Sequence, residues 1–488
     1  MRNRPSARRC RNSGLLTTGL ALALAAALAV GSPSAANAVP TLGAGAQPRA
    51  EKDVPSAGAA APLSFEAALA RFHERADILR AQEADVARAE HAADAAKWLG
   101  GPKVDVAAMH LEGSKSLDLN LDVPIPGLGS LPFSYSGDYD ISGPRAAITA
   151  VWPIYTGGAV TAEQKTLKSK ADQARAARDA TFIEEDASLA LAYWRTQLAR
   201  AVEKLRRAAL ADEEESLRRA RGFEKEGMLS KIERMSIEVS RDAAKRALSA
   251  AETDAHVAET ELLRALRDEA LPELETPLFV LKGELGSLDD WRARAMSASP
   301  VLAQAGALEA QAQQSVAAAK STFKPQVFAF GMRNFAKHYL TLVEPDWIAG
   351  IGVKFTLWSN RDRTASIASA ESMSRKAGAA RKEAENDVLA AVEVAWLRAV
   401  EARDEYRLTA STVALAKEAL RMREKSFAEG LSTALDVSNA RTQMIGAEIA
   451  RCAAAYKFVA GWTALHAASG AMPDFIASLS RSDLEAVR

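Results

Sequence analysis

Cysteine is almost missing from these 488 residues, which hold only Cys10 and Cys452. So few thiols exclude a disulfide framework. The six histidines are scattered, with no i, i+4 pair and no cysteine at zinc spacing, so no metal site is outlined. Proline is missing from two long stretches, between Pro153 and Pro272 and between Pro345 and Pro473, which removes the strongest helix breaker from both. No apolar run after residue 40 approaches the roughly 20 residues of a membrane helix. An excess of one charge is also missing: 62 basic residues face 62 acidic ones. A chain without basic excess has no electrostatic footprint for nucleic acid. Nor is there a nucleophile elbow, a phosphate loop or a metal cluster, so neither an enzyme nor a bound cofactor is expected.

What is present begins with an export signal. Arg2, Arg4, Arg8, Arg9 and Arg11 make a basic leader, Leu15 to Val30 an apolar core, and Ala36-Asn37-Ala38 a small-x-small cleavage site. Residues 1–38 therefore read as a signal peptide. Its removal leaves 57 basic against 62 acidic residues, a net charge of −5, and Cys452 as the sole thiol. Residues 39–62, rich in Ala, Gly and Pro, read as a flexible linker.

The rest of the chain is written twice. Residues 64–102 align without a gap with 287–325, pairing Ser64 with Ser287, Leu79 with Leu302, Lys97 with Lys320 and Pro102 with Pro325. After an insertion in the first copy the register resumes, pairing Trp152 with Phe355, Tyr193 with Trp396, Gly227 with Gly430 and Glu233 with Asp436. The period far exceeds that of a solenoid repeat. The expected units are 63–271 and 287–470, with a linker at 272–286 and a tail at 471–488. Each unit reads helix, two strands, very long helix, turn, helix. The opening helices are expected from Ser64 to about Trp98 and from Ser287 to about Phe323. The long helices, from Gly158 to Arg221 and from about Arg361 to Glu429, consist of strong helix formers. At 1.5 Å per residue each is on the order of 95 Å long. Gly227 and Gly430 then allow the chain to reverse through a left-handed cap. Runs such as Asp212-Glu213-Glu214-Glu215 read as solvated faces. The helices alone also fit a plain antiparallel coiled coil.

The strands argue against that alternative. Segments 103–156 and 323–358 hold 13 of the 29 aromatic residues, a concentration that a coiled coil does not need. Trp347, Ala349, Ile351, Val353, Phe355 and Leu357 alternate with Ile348, Gly350, Gly352, Lys354 and Thr356. Phe328, Phe330 and Met332 likewise alternate with Ala329, Gly331 and Arg333. Such runs of about 10 residues match tilted membrane strands, with Trp152, Tyr155, Trp347 and Trp358 near the ends where aromatic girdles belong. A half-buried soluble sheet would alternate too, but no segment is left to cover this one. Lys354, Thr356 and Asp105 are expected on the lumen side. In the first pair, Val104, Val106 and Ala108 differ in parity from Leu117, Leu119, Leu121 and Val123, which predicts a bulge or register break between them. Pro124 to Pro132 reads as a hairpin tip, and the insertion at 112–143 as an enlarged extracellular loop.

Four strands cannot close a barrel, and lipid tolerates no open sheet edge. Closure therefore requires several chains. Two would give eight strands filled by side chains, whereas three would give twelve with room for a lumen. The helical segments of such an assembly would form a tube continuous with the barrel, so the expected class is mainly α with a membrane β-barrel contribution.

These residues resemble the TolC-like outer-membrane efflux protein family over about 62–470. The similarity lies in the opening helices Leu63-Ser64-Phe65-Glu66-Ala67-Ala68-Leu69 and Ser287-Leu288-Asp289-Asp290-Trp291. It continues in the turns Tyr155-Thr156-Gly157-Gly158 and Trp358-Ser359-Asn360-Arg361. The most specific piece is Phe427-Ala428-Glu429-Gly430-Leu431-Ser432-Thr433-Ala434-Leu435-Asp436-Val437-Ser438-Asn439-Ala440-Arg441, with Glu226 to Glu233 as its weaker counterpart. The resemblance implies a homotrimeric exit duct: a 12-stranded β-barrel in the outer membrane, contacting its lipid, continued by a long α-helical barrel that reaches into the periplasm. It implies a periplasmic adaptor docked on the tips at Gly227, Met228, Gly430 and Leu431. An inner-membrane transporter of RND, ABC or MFS type would supply the energy for efflux or type I secretion. Asp436 falls where the family places a gate acid. Glu233 is its repeat equivalent, and Asn439 and Ser432 stand where the family's type member has a second acid and a basic partner. The competing reading is a periplasmic coiled-coil scaffold without a pore.

Overall fold

The repeated order of elements is present in the computed structural model, which describes residues 62–125, 129–340 and 344–487. The signal segment and nearly all of the 39–62 linker lie outside the described residues. Each opening helix is two helices rather than one. They are α1 (Phe65–Arg75) and α2 (Asp77–Ala96) in the first copy, α5 (Leu288–Ala298) and α6 (Pro300–Ser321) in the second. Both breaks fall at the same repeat position. Pro300 holds Ser299 in an extended conformation (ψ 120°), because the residue before a proline avoids helical angles. Ala76 is equally extended (ψ 111°) without a proline, and Asp77 beside it is ion-paired to Arg267 at 2.6 Å.

The long helices are α3 (Ala159–Lys225) and α7 (Arg363–Ala428), of 67 and 66 residues, so about 100 Å each. Shorter helices line up along them: α2 and α4 (Lys231–Leu266) on α3, α6 and α8 (Ala434–Ala468) on α7. Contacts of α3 with α6 and α8 join the two copies. Small residues set the spacing. A Cβ on Gly461 of α8 would stand 3.0 Å from the Ala399 nitrogen of α7. Among the described residues no helix is long and apolar enough to cross a membrane.

The core lies where the two copies meet. Phe65 and Trp194 from the first copy pack on Phe475, and Trp194 also meets Phe279, which meets Phe458. The buried Tyr193 hydroxyl donates to the Leu63 carbonyl (2.7 Å) and accepts from the Thr276 amide (3.0 Å). The segments expected as a linker (272–286) and a tail (471–488) belong to this core. Strand β3 (Leu278–Leu281) is buried throughout and pairs antiparallel with β6 (Leu484–Val487), while α9 (Met472–Ser478) supplies Phe475. A connector must bury its backbone polar groups only in paired form, and these two short segments pair with each other.

The remaining strands form one antiparallel sheet in the order β1 (Lys103–Ile125), β2 (Gly129–Tyr155), β4 (Gln326–Asn334), β5 (Trp347–Lys354). The expected register break in the first pair is not there. Pairing runs without a shift from Lys103↔Val151 to Ile125↔Gly129, so the 112–143 insertion is a continuation of the hairpin and not a loop. The one irregularity lies between Pro153 and Tyr155, next to a proline that has no N–H to give the ladder. Directly paired residues share a face. One face carries Val104, Val106, Trp152, Ile351, Val353 and Trp347, all exposed. The other carries Asp105, Thr149 and Lys354. Phe328 and Phe330 also lie on this second face, their rings over Gly352 and Gly350. Thr356 lies past the end of β5.

Candidate functional site

The two hairpin tips are built alike. Gly227 and Gly430 follow the last helical residues with φ of 73° and 76°, angles that strain any L side chain. Met228 N–H reaches back to the Phe223 carbonyl and Leu431 N–H to that of Ser426, both at 2.8 Å. These bonds close the ends of α3 and α7 with a glycine cap. A Cβ on either glycine would meet nothing within 4 Å, so both tips are open to the surroundings. Met228 is 63% and Leu431 77% exposed, and Ile232, Met235 and Leu435 are exposed beside them. A soluble surface has little use for so many apolar side chains on two adjacent turns.

The gate candidates also prove to be equivalent. Asp436 is the third residue of α8, and its Oδ2 accepts from the Thr433 amide (3.0 Å), the Thr433 hydroxyl (2.8 Å) and the Ser432 hydroxyl (3.2 Å). In return the Thr433 side chain accepts from the Asp436 amide. Glu233 makes the same capping box with Ser230 at the start of α4. The box satisfies helix N–H groups that have no partner within the helix. The bonds from Thr433, backbone first, hold the Asp436 carboxyl below the usual range; those from Ser230, side chain first, do the same for Glu233. Both caps are therefore charged and complete at neutral pH, and their contribution is lost only as pH falls through those lowered values. Ser432, where the family's type member has a basic partner, is a third donor to the acid. Asn439 is exposed one turn further along α8.

Sequence reasoning missed the polar knot just above the tips. Glu213 was expected on a solvated face but is 4% exposed. It accepts from the Ser438 hydroxyl at 3.0 Å and faces Arg441 at 3.6 Å. The Arg441 guanidinium also bonds the Ser216 hydroxyl (3.0 Å) and Glu424 (3.1 Å), with Asp212 at 3.8 Å. One cation on α8 thus ties α3 to the α7–α8 hairpin. Below it, Ala434 packs on Leu217, Ala220 and Ile237, across a groove of about 430 Å³ between the tips. No repeat or local spacing marks this knot, because Glu213 lies 14 residues before Gly227 and Ser438 only 8 after Gly430.

Comparison with known proteins agrees with this geometry. The family model described as outer membrane efflux protein matches residues 69–266 and 291–471. The chain belongs to that family. Among solved structures, it is similar to the outer-membrane channel OprN (14% identity, 83% of this chain and 90% of that one, TM-score 0.70). It is also similar to the outer membrane protein VceC of Vibrio cholerae (15%, 83% and 96%, TM-score 0.69). A third likeness is to the open state of the MtrE outer membrane channel of Neisseria gonorrhoeae (18%, 83% and 88%, TM-score 0.66). A search of curated proteins gave no match. The chain is thus an outer membrane efflux protein with the fold of these outer-membrane channels.

Proposed function

We propose that three copies of this chain form the exit duct of a tripartite efflux or type I secretion system. The observation that carries it is the four-stranded sheet with two open edges, β1 and β5, and an exposed apolar face. Lipid accepts such a face but not such edges, so the edges pair between copies. Three copies give twelve strands and leave a lumen lined by Asp105, Thr149 and Lys354. The long helices continue the duct into the periplasm. The exposed tips at Gly227-Met228 and Gly430-Leu431 dock a periplasmic adaptor, which couples the duct to an inner-membrane pump. No reaction is catalysed, and the pump does the work. Three copies of Asp436, and Glu233 from the neighbouring hairpins, face the periplasmic constriction, where their field favours cations.

The test is reconstitution in a planar bilayer. The expected result is a trimer stable on unheated gels, discrete ohmic steps, and a cation preference that drops in Asp436→Ala. A monomer that makes no steps would sink the duct. Unchanged selectivity in Asp436→Ala would leave the duct standing and remove the gate assignment.

A further inference from the structure

The β1–β2 hairpin is far longer than a membrane span requires. Pairing with β4 stops at Ala147, whose β1 partner is Ala107, yet the hairpin continues to Ile125↔Gly129. At 3.3 Å per residue that extension is about 60 Å long. Its register never shifts, so odd-numbered residues stay on one face and even-numbered ones on the other throughout.

Polarity nevertheless inverts along the hairpin. Near the sheet the even face is apolar (Val104, Val106, Ala108) and the odd face carries Lys103 and Asp105. Beyond residue 110 the even face carries Glu112, Ser116, Asp118, Asp122, Asp138 and Asp140, all exposed. The odd face there carries Leu111, Leu117, Leu119, Leu121 and Phe133, with Leu121 directly opposite Phe133. Leu121 and Phe133 are about half exposed in the single chain. The parity change that the sequence suggested is thus an exchange of environments on an unbroken ribbon. The root of the ribbon is braced. Arg145, on the odd face, is buried and donates through Nε and Nη2 to Glu344, and Phe335 N–H bonds the Ala146 carbonyl at 2.8 Å. The connection between β4 and β5 therefore folds over the same face that turns apolar above it.

We infer that three hairpins close on the channel axis above the barrel mouth, odd faces inward, and form an apolar collar. The inference rests on the trimeric duct proposed above. The odd face is continuous with the lumen side of the sheet, so in a trimer the apolar residues of each hairpin point at those of its two neighbours. Membrane lipid is not the occupant, because the face continuous with the lipid side is the one that carries the five acids. The right-handed twist of a two-stranded ribbon winds the three apolar faces about one another and about the axis.

The experiment uses the full-length protein in its native envelope, with Cys452→Ala as background. Single cysteines are placed on the odd face (Leu121→Cys, Phe133→Cys) and the even face (Asn120→Cys, Ser134→Cys). In the collar, a short bifunctional maleimide joins Leu121→Cys chains to each other. A water-soluble maleimide modifies Asn120→Cys about tenfold faster than Leu121→Cys, because the thiolate needs access to water. Replacing residues 112–142 by an Asn-Gly turn raises single-channel conductance. Equal labelling of both faces in an intact trimer overturns the collar and leaves the duct. So does crosslinking of Leu121→Cys to a different protein, or its protection by lipid alone. A monomer in the unmutated protein itself would overturn the duct reading beneath it.

Discussion

At the residue scale, the side chains nearest the tips serve two ends. Asp436 and Glu233 were legible as a repeat pair, and their spacing from Ser230 and Thr433 matches a capping box. Glu213 was not legible, because a run of four acids on a charged helix looks solvated whichever face meets a neighbour. Its burial comes from α8 lying across α3, a contact that no local pattern encodes. Arg441→Met would leave Glu213 buried without its cation, which costs about 3 kcal/mol for a pair of this kind. Adding Glu213→Gln should restore part of that loss. Denaturant unfolding of the two single variants and the double variant measures the coupling. Strictly additive losses would mean that the two side chains do not act as a pair.

At the element scale, the long helices were legible: no proline, strong helix formers throughout, and one glycine just past the C-terminal end of each. The interruptions of the opening helices were only half legible. Pro300 announces the break after Ser299, but nothing in the residues around Ala76 does. The strands of the second copy were read correctly in extent at β4 and somewhat overextended at β5. Phe328 and Phe330 were placed on an apolar side from alternation alone, whereas pairing with Gly352 and Gly350 sets them on the face of Asp105 and Lys354. Alternation separates two faces but does not say which one meets water. The helix spacing makes its own prediction. Gly461→Val forces a branched side chain into the Ala399 backbone at a 3.0 Å approach. Overpacking of that sort costs about 1–3 kcal/mol. Helical circular dichroism on heating should show a lower midpoint for this variant, while Gly446→Val, at an open position on the same helix, should lose much less.

At the scale of the whole molecule, the two copies are not separable domains. Phe65, Trp194, Phe279, Phe458 and Phe475 form one core from both copies, their connector and the tail. Function also belongs to this scale, because the proposed duct needs the sheet edges of several chains and the proposed docking needs a partner at the tips. Gly430→Trp separates the two requirements. The substitution meets open space but an unfavourable φ of 76°, and it lies far along the helices from the sheet. Unheated gels should still show the trimer, while drug or dye efflux from whole cells is abolished. Loss of the trimer itself in this variant would show that the tip is needed for assembly and not for docking.

The sequence by itself determined the duplication, the long helices, the tip glycines, the equivalence of Glu233 and Asp436 and the presence of four alternating strands. All of these rest on local chemistry: proline-free stretches, positive φ at glycine, and period-two alternation. Only the tertiary structure decided which face of the sheet is apolar, that the insertion is an unbroken hairpin, that connector and tail share the core, and that Arg441 binds the hairpins together. Each of these depends on which distant segments meet, and side-chain periodicity carries no record of the partner across the gap.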